Sequence, residues 1–169
     1  MTYHVNETDS ELAVERAQEV FFEEHDKRYY SKIAICKTRI IMIIDKIIIH
    51  CSDTPNGRDN NAEDIHRYHL EKGWSGIGYN HVIRIDGSIE NGRPHYWIGS
   101  HARGHNATSL GICLIGTDSF SNHQWYALEK LILELKQQYP DAKVIGHNEV
   151  SSKTCPGFNV QDWLNEAFK

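Results

Sequence analysis

Between Arg39 and His50 the chain is β-branched and almost continuously apolar, the pattern of a strand covered on both faces rather than half exposed. Asn60-Asn61-Ala62-Glu63-Asp64 then combines cap residues with first-turn acids. Apolar positions continue through Ile65, Tyr68 and His69 to Gly73, which predicts a helix over 61–72. Alternation from Tyr79 to Asp86, an Asp86-Gly87 turn and a return over Ser88 to Glu90 predict a hairpin, and Leu110 to Ile115 predicts another buried strand. Ser121-Asn122-His123-Gln124 fits a capping box, with Phe120 and Trp125 spaced as a hydrophobic staple. The helix it opens runs through Leu128, Leu131, Ile132 and Leu135 to Tyr139, where Pro140 stops it. Lys143 to Gly146 reads as a strand and Val160 to Phe168 as a last helix. Strands alternating with helices imply an α/β domain, a central mixed β-sheet flanked by helices.

Residues 1–38 differ in character. Asp9 or Ser10 caps a predicted helix through Leu12, Ala13, Ala17, Val20 and Phe21 to about Tyr30, with no visible chemistry. This reads as an N-terminal extension, with the domain proper over 39–169. The apolar run from Ile33 to Ile49 carries Lys37, Arg39, Asp45 and Lys46, too many charges for a membrane span. The polar, acidic N-terminus is no secretory signal. Synthesis in a cytoplasm that keeps the thiols reduced follows as an expectation.

With 169 residues the chain can bury one sizeable core. A net charge of -5 without a Lys/Arg cluster argues against nucleic-acid binding. Cys36, Cys51 and Cys113 lie in apolar contexts and read as buried thiols, whereas Cys155 stands in a polar loop before Pro156-Gly157.

The chemistry sits at the ends of strands. Ile47-Ile48-Ile49 ends in His50, Val144-Ile145-Gly146 ends in His147, and a loop eight residues later delivers Cys155 with Lys153 two positions before it. Two rigid imidazoles and a thiolate are the protein ligands of an open zinc site, with a fourth position left for water. The chain therefore reads as a zinc hydrolase with one Zn2+ per chain.

The motifs form an ordered set: His50-Cys51-Ser52, Gly73-Trp74, Gly78-Tyr79, Asp86-Gly87, Glu90-Asn91-Gly92-Arg93, Gly99-Ser100-His101-Ala102, Gly104-His105-Asn106, Ser109 to Gly116, His147 to Val150 and Lys153 to Phe158. From about residue 46 to the C-terminus this resembles the type 2 N-acetylmuramoyl-L-alanine amidases, and most closely the small phage endolysins with amidase activity. The resemblance implies an amidase/peptidoglycan-recognition fold with a zinc-centred groove. It places the zinc ligands at His50, His147 and Cys155, the catalytic tyrosine at Tyr79 and the catalytic lysine at Lys153. It also implies hydrolysis of the amide joining N-acetylmuramic acid to L-alanine in peptidoglycan. Zinc lowers the pKa of bound water to about 7, a cation at Lys153 suits a developing oxyanion, and Tyr79 suits holding that water or relaying its proton.

The resemblance sets the loop of His101, Arg103, His105 and Asn106 at the substrate cleft. His81, two after Tyr79, is expected on the same strand face, lining the site, although the family usually has its histidine one position earlier. Glu149 is expected to orient a ligand histidine, and His66 and His69 read as a packing face. The expected biology is a monomer that meets peptidoglycan after release from the host cytoplasm, without membrane insertion. Two rivals are an amidase that recycles anhydro-muropeptides in the cytoplasm and a recognition module that binds peptidoglycan without cutting it. Modules of the second kind typically lose the metal-binding cysteine.

Overall fold

The computed structural model describes residues 42–169. The helix expected near the N-terminus, and the first residues of the strand expected from Arg39, lie outside the described residues.

Five strands form one sheet: β1 (Lys46–Cys51), β2 (His81–Ile83), β3 (Ile89–Asn91), β4 (Ser109–Leu114) and β5 (Lys143–Gly146), in the order β3-β2-β4-β1-β5. The β1–β4, β1–β5 and β2–β4 pairs are parallel, and β2–β3 is antiparallel. Helices α1 (Ala62–Glu71), α2 (Asn122–Gln138) and α3 (Val160–Ala167) complete the fold. The sheet is mixed and flanked by helices, as the alternating pattern predicts.

The predicted 39–50 strand is regular only from Lys46. Its partners begin there, with Lys46 opposite both Ser109 and Lys143. Residues 42–45 alternate between exposed and covered, so they lack the second buried face. The predicted Tyr79–Asp86 strand shortens to three residues. Gly111 N–H donates to Asn80 Oδ1 rather than to a main-chain carbonyl, and the Asp86-Gly87 turn begins soon after Ile83, with Ser88 N–H donating to Asp86 Oδ1 at 2.9 Å.

Ile47, Ile49, Ile83, Leu110, Ile112 and Leu114 pack under α2 through Leu128, Leu131, Ile132 and Leu135. On the other face Val82, Cys113 and Ile115 pack with Ile65 and Ile77. β1 therefore gives Ile47 and Ile49 to the α2 side, while His50, level with Cys113, points to the α1 side.

The α2 start is built as its residues predict. Ser121 Oγ accepts Gln124 N–H and Gln124 Oε1 accepts Ser121 N–H, while the Phe120 and Trp125 rings meet at 5.3 Å. Gln124 is also buried to 1% exposure. Its Nε2 donates to the carbonyls of Ile83 and Ile115 at 3.3 and 2.8 Å, tying the cap to the ends of β2 and β4. Gln124→Leu keeps the volume but strips a buried donor from those carbonyls. Urea unfolding should show a loss of about 1–3 kcal/mol, against a few tenths for a substitution at an exposed α2 position.

Candidate metal centre

Strand register brings the two histidines together. Ile49 of β1 stands opposite Gly146 of β5, so the next residues, His50 and His147, fall side by side at the carboxyl edge of the sheet. Crevices outside carboxyl ends of parallel strands are where α/β sheets hold ligands. The two rings lie with centroids 4.4 Å apart, and both residues are buried. Cys155 arrives from the loop after β5. Its Sγ accepts Cys51 N–H at 3.3 Å and lies 3.7 Å from His50 Nδ1. Gly157 lets the loop close, because at φ +88° it presses against Thr117 and Asp118, where a Cβ would lie 2.9 Å from Asp118 Cα.

One ligand atom from each of His50, His147 and Cys155 lies within 4.8 Å of the others. With bond lengths near 2.3 Å to sulfur and 2.05 Å to nitrogen, a tetrahedral zinc sets an N···S edge of about 3.6 Å. The observed 3.7 Å fits, and so does the protonation. Burial, with His101, His147 and Lys153 nearby, holds His50 well below the usual imidazole range. Burial and Lys153 also lower His147. Both rings are therefore neutral, as ligation requires. Without a cation, the Cys51 thiol and burial push the Cys155 thiol up. A metal ion reverses that sign, since a coordinating thiol is deprotonated outright.

A cleft of about 1320 Å³ opens on these residues, and both Tyr79 and Lys153 line it. The Tyr79 ring centroid is 5.1 Å from that of His50. Burial, followed by the neighbouring Cys113, Cys155 and Cys51, raises its pKa well above the ordinary phenol value, so Tyr79 stays a protonated donor. Lys153 is exposed on the loop before Cys155, and its charge reaches both histidines.

Two histidines of α1 brace the segment before Tyr79. His66 Nδ1 accepts Ile77 N–H at 3.2 Å, and His69 Nδ1 accepts Gly78 N–H at 3.1 Å. Their spacing, three residues apart on α1, presents both to the segment that leads into Tyr79. The α1 wall of the cleft also carries Tyr68, Lys72 and Trp74, with Lys72 Nζ 4.3 Å from the Tyr68 ring centroid. The motif reading did not single out this wall; its signal was the four-residue spacing of Tyr68 and Lys72 next to Trp74.

The remaining expected residues scatter. His101 lines the cleft but meets His50, with its Nδ1 3.0 Å from His50 Nε2. Burial pushes it down to about 4. Arg103, His105 and Asn106 do not line the cleft. Arg103 is exposed, and Asn106 Oδ1 accepts the N–H groups of His101 and Ala102. His81 does not share the face of Tyr79. Its neighbour Val82 takes the α1 side, and His81 points the other way, to His95 Nε2 at 2.7 Å, with Tyr139 beyond. The Glu149 carboxylate accepts Gly146 N–H at 2.7 Å and Gln161 Nε2–H at 3.2 Å, so it holds the backbone entering His147.

A sequence profile of the family described as N-acetylmuramoyl-L-alanine amidase matches residues 41–158. The endolysin of Klebsiella phage KP32 is 39% identical over 126 residues, 70% of this chain and 83% of that protein. Among solved structures, the endolysin N-acetylmuramoyl-L-alanine amidase LysCS from Clostridium intestinale superposes with a TM-score of 0.67 at 32% identity, covering 73% of this chain and 82% of that one. Bumblebee PGRP-SA superposes with a TM-score of 0.66 at 31% identity, covering 74% and 82%.

His69 yields a pH prediction. Burial, with Lys72 and Arg93 nearby, pushes its pKa to about 4, whereas an unfolded histidine titrates near 6.5. Between those values the unfolded chain binds the extra proton, so the contribution is complete above about pH 6.5 and is lost as pH falls through 4. It amounts to about 3 kcal/mol at most. Urea unfolding at pH 7 and pH 4.5 should show a smaller pH-dependent loss for His69→Gln than for the unsubstituted protein.

Proposed function

The chain belongs to the N-acetylmuramoyl-L-alanine amidase family and is a peptidoglycan amidase close to the phage endolysins, and from that premise we propose that His50, His147 and Cys155 hold one zinc ion for cleavage of the muramoyl–L-alanine amide. The observation that carries the zinc reading is the convergence of two neutral imidazoles and a thiol in the lining of the cleft. Zinc held there would supply Lewis acidity, activating water and polarising the amide carbonyl.

The chain's own residues supply the rest. Lys153 sets a positive charge beside the centre, where the amide oxygen gains negative charge. Tyr79, which burial holds in the protonated form, donates a hydrogen bond at the same place. His66 and His69 hold the backbone that aims Tyr79. The exposed Tyr68 and Trp74 on the α1 wall offer flat apolar faces to glycan or stem peptide, while Lys72 suits a stem carboxylate. Hydrolysis places the water oxygen on the lactyl carbonyl carbon and a proton on the alanine nitrogen. The products are a muramic carboxylate and a peptide with a free L-alanine amino terminus.

Similarity to endolysins favours action on intact wall, by a monomer released from the host cytoplasm, over recycling of soluble muropeptides. No helix among the described residues is long and apolar enough to cross a membrane. Cys155, present beside His50, favours cutting over recognition alone. Residues 1–38 are proposed as an extension separate from this activity, since the profile match begins at residue 41.

Digestion of purified sacculi is expected to release stem peptides with new L-alanine amino termini and to leave the glycan strands long. Strong chelators should stop the reaction and zinc should restore it. New reducing sugar ends without new amino termini, or indifference to chelators, would refute this reading.

Lys153→Ala separates chemistry from folding. It should keep one zinc and the unfolding temperature of the unsubstituted protein, yet lose about a hundredfold or more in kcat/KM. Loss of metal or of the fold would instead make the lysine structural.

A further inference from the structure

The His101 ring occupies space left by two glycines. A Cβ built on Gly111 would lie 2.6 Å from its Cγ, and one on Gly99 would lie 2.7 Å from its Cδ2. Asn106 Oδ1 fixes the backbone beneath the ring, accepting the N–H groups of His101 and Ala102 at 2.9 and 2.7 Å. Sequence and backbone are thus arranged to hold this imidazole in one place.

The hydrogen bonds around it have a direction. The Ser109 hydroxyl has one proton, which it donates to the His105 carbonyl at 2.8 Å. Toward His101 Nε2, at a long 3.4 Å, Ser109 Oγ is then an acceptor, and Nε2 carries the proton. A neutral imidazole has a single N–H, so His101 Nδ1 is bare. It faces His50 Nε2 at 3.0 Å, which must be the N–H donor. That leaves His50 Nδ1 bare, and Nδ1 is the nitrogen 3.7 Å from Cys155 Sγ.

We infer that His101 is a positioning residue that, with Ser109 and the His105 carbonyl, locks His50 in the tautomer whose Nδ1 is available to the metal. The inference rests on the zinc reading proposed above. It gives the 101–109 loop a task that substrate contact does not require: orienting a ligand through its other nitrogen. Such outer partners also raise the basicity of the ligating nitrogen, and losing one typically costs ten- to a hundredfold in metal affinity.

Zinc affinity, measured by competition with a chromogenic chelator on the full chain, tests this without reference to activity. His101→Asn offers an amide oxygen near the place of Nδ1 and keeps an acceptor for His50 Nε2–H. His101→Leu fills similar space without one. The expected result is zinc binding weakened about ten- to a hundredfold in His101→Leu and within a few-fold of the unsubstituted protein in His101→Asn. Equal affinity in all three proteins overturns the inference, and so does an equal loss in both variants. If the leucine variant fails to fold, ring-nitrogen NMR of the unsubstituted zinc-loaded protein decides. His50 and His101 should both carry their proton on Nε2, and a proton on His50 Nδ1 overturns the assignment. The two readings fail separately. An unsubstituted chain that takes up no zinc removes the zinc reading and this inference together. Tight zinc binding that Cys155→Ser destroys and His101→Leu leaves intact removes only the inference.

Discussion

The candidate centre depends on the alignment of β1 with β5, in which Ile49 stands opposite Gly146. A one-residue slip in a strand turns every side chain to the opposite face. Here it would send His50 into the core under α2 and bring Ile49 or Cys51 to the cleft. The slip is opposed on both sides of β1, because Ile47, Ile48 and Ile49 are fully buried and β4 pairs with the same strand in its own register. The apolar run that identifies β1 in the sequence is thus also what fixes the separation of the two imidazoles. Catalytic geometry is obtained from core packing, at no separate conformational cost.

The third proposed ligand is held by different forces. Cys155 sits on a loop whose anchors are polar or steric: Cys51 N–H on its sulfur, Gly157 against Thr117 and Asp118, and Glu149 bridging Gly146 N–H to Gln161 near the loop's origin. Without a cation this pocket holds two lowered imidazoles and a raised thiol. All three ligands are then neutral, and desolvation opposes charging any of them. A divalent cation bound there would supply the compensating charge and release the thiol proton. A rigid strand pair and a docked loop thus divide the work, and a bound cation would join them.

Much of this was legible in the sequence because it rests on local rules. Strand-terminal histidines, the capping box at Ser121 and Gln124, and the Asp86-Gly87 turn each follow from residues within a few positions of one another. What was not legible depends on contacts between distant segments. Asn106 sits in the loop assigned to substrate, but the preference of its carbonyl oxygen for two backbone N–H groups one turn back appears only once the loop is folded. Gln124 looks like a cap and is also a tie between β2 and β4, because α2 lays it against their ends. Glu149 was expected on an imidazole and instead takes Gly146 N–H, the nearer donor once the chain turns into His147. Residue type narrowed the chemistry in each case, and the fold chose the partner.

The departure at Asn80-His81 shows the same selection at work. Where the family pattern has histidine next to the tyrosine, this chain has Asn80, buried to 1% exposure. Its Oδ1 accepts Gly111 N–H and its Nδ2 donates to the Arg93 carbonyl at 2.9 Å, so a side chain takes bonds that a regular strand would make with its backbone. The ladder with β4 accordingly starts at His81. With the alternation broken there, Tyr79 packs toward Cys113 and the cleft, while His81 goes to the opposite face and pairs with His95. A histidine at position 80 could not satisfy Gly111 N–H and the Arg93 carbonyl with the same geometry, since its two nitrogens diverge across a rigid ring. Asn80 thus stands between Tyr79, which lines the cleft just before β2, and His81, which opens β2 and packs behind it.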